Sequence, residues 1–435
     1  MAGRMSMADF KALKHCRGLL EEARSVQRTG DAAAALPILE QAVASTSLAA
    51  EARVALAQAV WDSAANESDL QRAETLLVEA ISVARAAQSA PEVATLEKAL
   101  SKLALLLCQN GRDAEAEALL QEGGFSFRLS AQVLRGVGSP DAGDDAEERD
   151  RIVAIFDQAF PQDMLAMLQE VFKPRGLYWT EHDYYAPERG YFSYMHTLDG
   201  TPPRNGMEQV IRHLQRLAEV RFPAVKDATR AEWWAHCRPH PSGHQLHFDS
   251  DDEGLGGVRN PIATSVMYLS EGTGGPTLIT NQRVEDAKLA GQGWLVFPTT
   301  NRFVAFDGKV LHGVIPGASF SEHPERRRIT LMVAFWKECE IRGSAEDGPG
   351  ASRTFPVQGA TRYSWQAPME PLVPQWDAIP PRASASAPLC LPVSCIWDAV
   401  APAGEGGAAG GQSALAAAAR GGARLPGYED CFQGF

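Results

Sequence analysis

The stretch Ser242-Gly243-His244-Gln245-Leu246-His247-Phe248-Asp249 decides how the chain must be built. His247 and Asp249 stand two residues apart, a spacing that on a β-strand turns an imidazole and a carboxylate to the same face. A second imidazole, His312 in Val310-Leu311-His312-Gly313-Val314, can complete a metal-binding face with them. The chain between must then fold back to close that face. Its strand candidates are Ala263 to Leu269, Thr277 to Thr280, Gly293 to Phe297 and Arg302 to Phe306, with Ala231 to Arg238 before them and Arg328 to Trp336 after. All are short, rich in aromatic and β-branched residues, and punctuated by Gly, Pro and Asn, which indicates a sandwich or barrel.

Composition sets the frame. At 435 residues the chain exceeds one typical domain, and its 45% hydrophobic content is ordinary for a protein in water. No apolar run approaches the eighteen or so residues of a membrane helix, and Met1 to Arg17 lacks the apolar centre of a secretory signal. A cytoplasmic location is expected, with an organellar transit peptide left open and no membrane partner. The seven cysteines are scattered without CxxC pairs and read as reduced thiols. A net charge of -13 repels phosphate backbones, so no nucleic-acid partner is expected.

Residues 8–125 are rich in Ala, Leu and Glu with apolar residues at helical spacing, as in Leu76, Leu77, Ala80 and Ile81. Helix starts follow Gly30-Asp31, Glu67-Ser68-Asp69 and Gly111-Arg112-Asp113, a near-regular interval that looks like degenerate tetratricopeptide repeats, with a non-repeating bundle as the alternative. Residues 136–150 turn to Gly, Ser, Pro, Asp and Glu and read as a linker. A second domain spans 151–342, with a helix expected over Gln162 to Phe172 and a β-like texture after Tyr178. From 343 to 435 the chain is Pro-, Ala- and Gly-rich; Ala401 to Gly422 is expected to be disordered, while Leu389 to Trp397 and Tyr428 to Phe435 could dock on the core. The expected class is therefore α+β and multidomain.

An isolated His-x-Asp is common, and Asp249 could merely open the acidic turn Asp249 to Glu253. As a metal face, however, two His and one carboxylate leave three positions of an iron open for a bidentate co-substrate and dioxygen, the non-haem Fe(II) oxygenase arrangement. The surrounding segments carry a resemblance. Trp233 to Gly243, Thr264 to Ser270, Gly274-Gly275-Pro276-Thr277-Leu278, Pro298 to Phe306, Leu311 to Gly317 and Arg328-Ile329-Thr330-Leu331 occur in the order of the Fe(II)/2-oxoglutarate-dependent dioxygenases. Residues 151 to about 340 look most like the prolyl 4-hydroxylase-like branch.

The resemblance implies a double-stranded β-helix (jelly roll) with His247, Asp249 and His312 as iron ligands. It also implies Fe(II), 2-oxoglutarate and O2 as reactants, and leaves an ascorbate requirement open. Asp249 at the carboxylate position argues against a halogenase. An arginine fork suits the distal carboxylate of 2-oxoglutarate. Arg328 fits the family's Arg-x-Ser/Thr pattern with Thr330, although Arg326 and Arg327 are rivals and Phe320 to Glu325 is an insert. Tyr268 is a further candidate for the same carboxylate. Trp336 alternates in phase with Arg328 and should line the barrel. His240 and His244 are expected at the rim, and Arg238, His182 and Tyr184 are unranked candidates for substrate contact. The function implied is hydroxylation of a protein or peptide, releasing succinate and CO2, with the helical region as a further protein-binding surface. A small-molecule oxygenase on the same fold and a non-catalytic helical-repeat scaffold are the alternatives.

Overall fold

The computed structural model describes residues 6–87, 90–137, 143–186, 192–251, 259–339, 351–355, 363–378, 387–400 and 424–434. The N-terminal region contains α1 (Met7–Gln27), α2 (Ala32–Ser45), α3 (Ala50–Asp62), α4 (Glu67–Ala87), α5 (Ala90–Gln109) and α6 (Asp113–Glu122), each packed on the next. α2 starts directly after Gly30-Asp31 as expected, α6 one residue early at Asp113, and α4 already at Glu67, ahead of the expected start. Asp31 caps α2 by accepting a hydrogen bond from the Ala34 amide, satisfying a donor the helix cannot use itself. Gly30 and Gly111 take positive φ just ahead of α2 and α6, where the chain reverses. Buried alanines, among them Ala23, Ala35, Ala42, Ala73 and Ala80, let the helices approach closely. Helix lengths run from 10 to 21 residues, which sets no common unit, so the tetratricopeptide-like repeat stays an expectation.

Eight strands follow: β1 (Arg230–Arg238), β2 (His244–His247), β3 (Ala263–Tyr268), β4 (Thr277–Arg283), β5 (Gln292–Val296), β6 (Arg302–Asp307), β7 (Val310–Val314) and β8 (Arg328–Trp336). Their antiparallel pairings are nested: β1 with β8, β2 with β7, β3 with β6 and β4 with β5. Further pairs, β3 with β8 and β4 with β7, join these into two sheets, and the whole is a jelly roll. Val153–Phe156 and Phe192–Thr197 extend the first sheet on β6 and β1, and Leu389–Pro392 extends the second on β5.

Three apolar clusters hold the molecule. Between the sheets, Val266, Tyr268, Phe306 and Met332 meet Ile279, Trp294 and Val310. Behind the first sheet, Trp233, Leu331, Val333 and Phe335 are covered by two helices, Gln162–Val171 and Gly206–Glu219. Behind the second sheet, Leu246, Leu278, Leu295, Leu311 and Ile315 join one cluster with the N-terminal helices and with Leu391, Ile396 and Phe432. A buried hydrogen bond from Gln109 Nε2 to the Gly317 carbonyl, 2.6 Å, ties α5 to the loop that follows β7.

Some expectations are corrected. Gly206–Glu219 is a helix inside the stretch expected to be β-like, capped by Asn205 and burying Met207, Val210, Ile211, Leu214 and Leu217 at helical spacing. Of the expected linker, residues 138–142 lie outside the described residues, whereas Ala146–Ile152 form a helix capped by Asp145. Ala401 to Gly422 also lie outside them. Both apolar patches of the extension dock: Trp397–Ala399 and Cys431–Phe432 flank Phe127–Leu129 in a small third sheet. No helix among the described residues is long and apolar enough to cross a membrane.

Candidate metal centre

β2 and β7 run side by side with His247 directly opposite His312. Gly313 allows this approach, because a Cβ there would lie 2.8 Å from the His244 carbonyl oxygen. The two rings are 4.4 Å apart between centroids. β2 ends at His247, so Asp249 lies just beyond the strand that was expected to carry both. Its carboxylate still reaches the face, with Oδ1 3.4 Å from His247 Nε2 and Oδ2 3.7 Å from His312 Nε2. One ligand atom from each of the three residues lies within 4.8 Å of the others. An ion bonded at about 2.0–2.2 Å to each ligand holds neighbouring ligands about 3 Å apart, so little adjustment is needed.

Hydrogen bonds fix which atoms face inward. Nδ1 of His247 lies 2.7 Å from the Gln245 carbonyl and Nδ1 of His312 lies 3.0 Å from the Val310 carbonyl. A carbonyl only accepts, so each Nδ1 carries the proton and each Nε2 keeps a lone pair for a metal. Thr264 Oγ1 donates to Asp249 Oδ2 at 2.6 Å, and Asn260 Nδ2 donates to the Asp249 carbonyl, holding the residue that the strand does not. Burial pushes His312 down to about 4, which keeps it neutral at neutral pH. Burial also opposes the charge on Asp249, but His312, His247 and the Thr264 hydroxyl outweigh it and hold the carboxyl well below its usual range.

A second polar cluster occupies the interior of the same roll. Arg328, at the head of β8, is only 4% exposed. Its NH2 donates to Thr277 Oγ1 at 3.0 Å, and its guanidinium carbon lies 5.3 Å from the centre of the Tyr268 ring. The Tyr268 hydroxyl is 2.7 Å from the same Thr277 oxygen. Thr330 pairs with Tyr268 across β3 and β8, and its hydroxyl is buried without a partner, as is Arg328 Nε. No carboxylate among the described residues pairs with Arg328. A buried, uncompensated guanidinium is costly, and an anion with two oxygens would remove the cost. Of the two rivals, Arg326 is exposed, and Arg327 donates to the Pro324 and Arg326 carbonyls.

A cavity of about 1340 Å³ opens beside the metal face, lined by His247, Asp249, His236, Arg238, His244 and Trp336 among others. Tyr184 lines it too. His182 does not contact it: the ring is fully buried between the Tyr178 carbonyl and the Tyr194 hydroxyl. His240 is structural, with Nδ1 accepting from the Gly274 amide and Nε2 facing the Ala318 carbonyl. His244 packs edge-on against His247, 4.8 Å between centroids. Residues given no role from sequence are Thr264, Thr277 and Asn260. For Thr264 a signal existed, since it lies four residues before Tyr268 and so shares its inward face on β3.

No protein-family model matches the chain, and no curated relative matches its sequence. Among solved structures it is similar to a prolyl-4-hydroxylase from Pseudomonas putida, at 14% identity and a TM-score of 0.27 over 46% of this chain and 94% of that one. EctD from S. alaskensis, in its apoform, is similar at 14% identity and a TM-score of 0.29 over 50% of this chain and 87% of that one. An oxidoreductase of the 2OG-Fe(II) oxygenase family from Burkholderia pseudomallei is similar at 10% identity and a TM-score of 0.19, covering 55% and 93%. At such scores the likeness bears no weight beside the chain's own strand order and side chains.

Proposed function

We propose that this chain is an Fe(II)- and 2-oxoglutarate-dependent oxygenase that hydroxylates a protein or peptide in the manner of the prolyl 4-hydroxylases. The observation that carries the proposal is the pairing, inside one jelly roll, of a two-His, one-carboxylate face with a buried guanidinium that has no carboxylate of its own. Iron fits the first and the distal carboxylate of 2-oxoglutarate fits the second. When bound, they supply the oxidising chemistry: 2-oxoglutarate and O2 become succinate and CO2 as a substrate C–H bond becomes C–OH.

The chain's own residues bind, orient and exclude water. His247 and His312 would hold the iron through Nε2, and Asp249 would add one negative charge to the face while Thr264 prevents its rotation. Arg328 would take the distal carboxylate, with the unpartnered Thr330 hydroxyl and the Tyr268 hydroxyl beside it. Thr277 bridges Tyr268 and Arg328, so the anchor is held before the co-substrate arrives. Phe306, whose ring centroid is 4.7 Å from that of His312, and Met332 present apolar surface that keeps water from the centre. The cavity exceeds the roughly 300–1,000 Å³ of most small-molecule sites, which favours an extended substrate.

The test is succinate release from 2-oxoglutarate in the presence of proline-containing peptides. The wild type should respond to peptide, and Asp249→Ala should fall to background with an unaltered circular dichroism spectrum. An unchanged rate in that variant would remove the metal assignment.

A further inference from the structure

Arg238 ends β1, is exposed, and lines the cavity beside the metal face. Its guanidinium carbon lies 5.9 Å from the centre of the Tyr184 ring, and no carboxylate among the described residues pairs with it. A guanidinium laid over an aromatic face keeps its edge N–H groups free, in the fork that matches a carboxylate. The platform is held in place, because the Tyr184 hydroxyl accepts from the Cys237 amide at 3.1 Å and is 3.2 Å from His236 Nδ1. From there a row of rings leads to the metal face: His236 to His244 at 6.0 Å, then His244 to His247 at 4.8 Å.

The acidic residues of the cavity are already engaged. Asp251 pairs with Arg259 at 2.8 Å, Glu232 accepts from Ser193, Asp62 accepts from Gln58 at 2.6 Å, and Asp249 belongs to the metal face. Arg327, the other arginine lining the cavity, bonds only backbone carbonyls. Neither arginine has an ion-paired carboxylate among the described residues, and Asp62, the acid at the cavity that both of their charges reach, is hydrogen-bonded to Gln58. The cavity also extends past the jelly roll, reaching Gln27, Gly30 and Ala32 of the helical region on one side and Leu425 and Tyr428 of the C-terminal segment on another. Its span suits a stretch of peptide rather than a single small acid.

We infer that this cavity binds an acidic peptide segment, and that Arg238, stacked on Tyr184, is the residue that selects its carboxylate. The catalytic consequence rests on the oxygenase proposal, whereas the binding claim can be tested apart from it. Binding is read by fluorescence anisotropy on the full chain under nitrogen, where no turnover occurs. The probes are three fluorescein-labelled peptide pools, alike except that the residues flanking a central proline are Glu, Gln or Lys.

The Glu pool should bind wild-type protein about tenfold or more tightly than the Gln pool, with the Lys pool weakest. Arg238→Gln should erase the difference between Glu and Gln while leaving the melting temperature unchanged, and Arg238→Lys should restore part of it. Equal binding of the Glu and Gln pools by the wild type, or a preference that survives Arg238→Gln, would overturn the inference. Free N-acetylglutamate amide binding as tightly as the Glu pool would overturn the peptide assignment. Selective binding of the Glu pool without succinate release in air would support the site and count against the oxygenase proposal instead.

Discussion

The two sheets of the jelly roll are backed by different parts of the chain. The sheet of β1, β8, β3 and β6 carries Arg328, Thr330 and Tyr268, and the helices Gln162–Val171 and Gly206–Glu219, with Phe355, Trp365, Met369 and Trp376 of the C-terminal extension, cover its outer face. The sheet of β2, β7, β4 and β5 carries His247 and His312, and its outer face is covered by the N-terminal helices and the C-terminal segment. On β2 and β7 each metal-facing histidine has a leucine beside it, Leu246 or Leu311, turned the other way into the helical core. The helical region therefore supports the two histidines from behind, while Arg328, Thr330 and Tyr268 stand on a sheet backed without it and are joined to the other sheet through Thr277 on β4.

The largest expected effect breaks this comparison outright. Deleting residues 1–125 uncovers Leu246, Leu278, Leu295, Leu311 and Ile315 together. At about 1.5–3 kcal/mol for each buried side chain, the loss rivals the whole stability of a domain, about 5–15 kcal/mol. The truncated protein should aggregate or lose its near-ultraviolet circular dichroism. A monomer with native spectra would show that the helices are an appendage.

A matched pair sharpens the contrast. Leu246→Ala and Leu214→Ala should each cost about 2–5 kcal/mol in urea unfolding, because both side chains are buried. Only Leu246→Ala should also weaken Fe(II) binding, since Leu214 lies on the helix behind the other sheet. Equal iron affinities in the two variants would mean that β2 is held by the sheet alone.

Thr264→Val keeps size and strand preference but removes the hydroxyl that holds Asp249. Iron affinity should fall about 10–100-fold, measured by chelator competition, with little change in stability. An unchanged affinity would make Thr264 a packing residue.

The smallest effect is in pH. His196, His213 and His236 have pKa values lowered from 6.5, in each case chiefly by burial. The unfolded chain then binds more protons than the folded one below about pH 6.5, so their stabilisation is complete above that value and is lost as pH falls. Urea midpoints should be flat from pH 7 to 8 and decline steadily from 6.5 downward. A midpoint that rises on acidification would contradict this sign.

Much of the jelly roll was legible because its strands are short, alternating and separated by turn residues. Arg328–Trp336 was placed to the residue, and β1, β3, β5 and β6 to within one at either end. The helix Gly206–Glu219 was overlooked inside β-textured sequence even though its apolar residues keep helical spacing. His247, Asp249 and His312 could be singled out because few residue types bind iron and the segments around them fall in a recognisable order, and the structure brings one ligand atom of each within 4.8 Å of the others. Thr264 and Thr277 were not, since an inward threonine on a strand is commonplace until its hydroxyl is seen to meet Asp249 or Arg328. The support from the helical region had a signal of its own. Val310-Leu311-His312-Gly313 and Gly293-Trp294-Leu295-Val296 are buried on both faces, and such unbroken apolar runs mark a sheet covered on both sides.

The central claim is that one jelly roll holds iron on its histidine-bearing sheet and 2-oxoglutarate on the other. Anaerobic titration of the metal-free chain with Fe(II) and then 2-oxoglutarate, followed by the weak visible charge-transfer band of the chelate, tests both halves together. The band should form in the wild type, be absent in His312→Ala, and require far more 2-oxoglutarate in Arg328→Gln. No band in well-folded wild-type protein, or an undiminished band in His312→Ala, would contradict the claim.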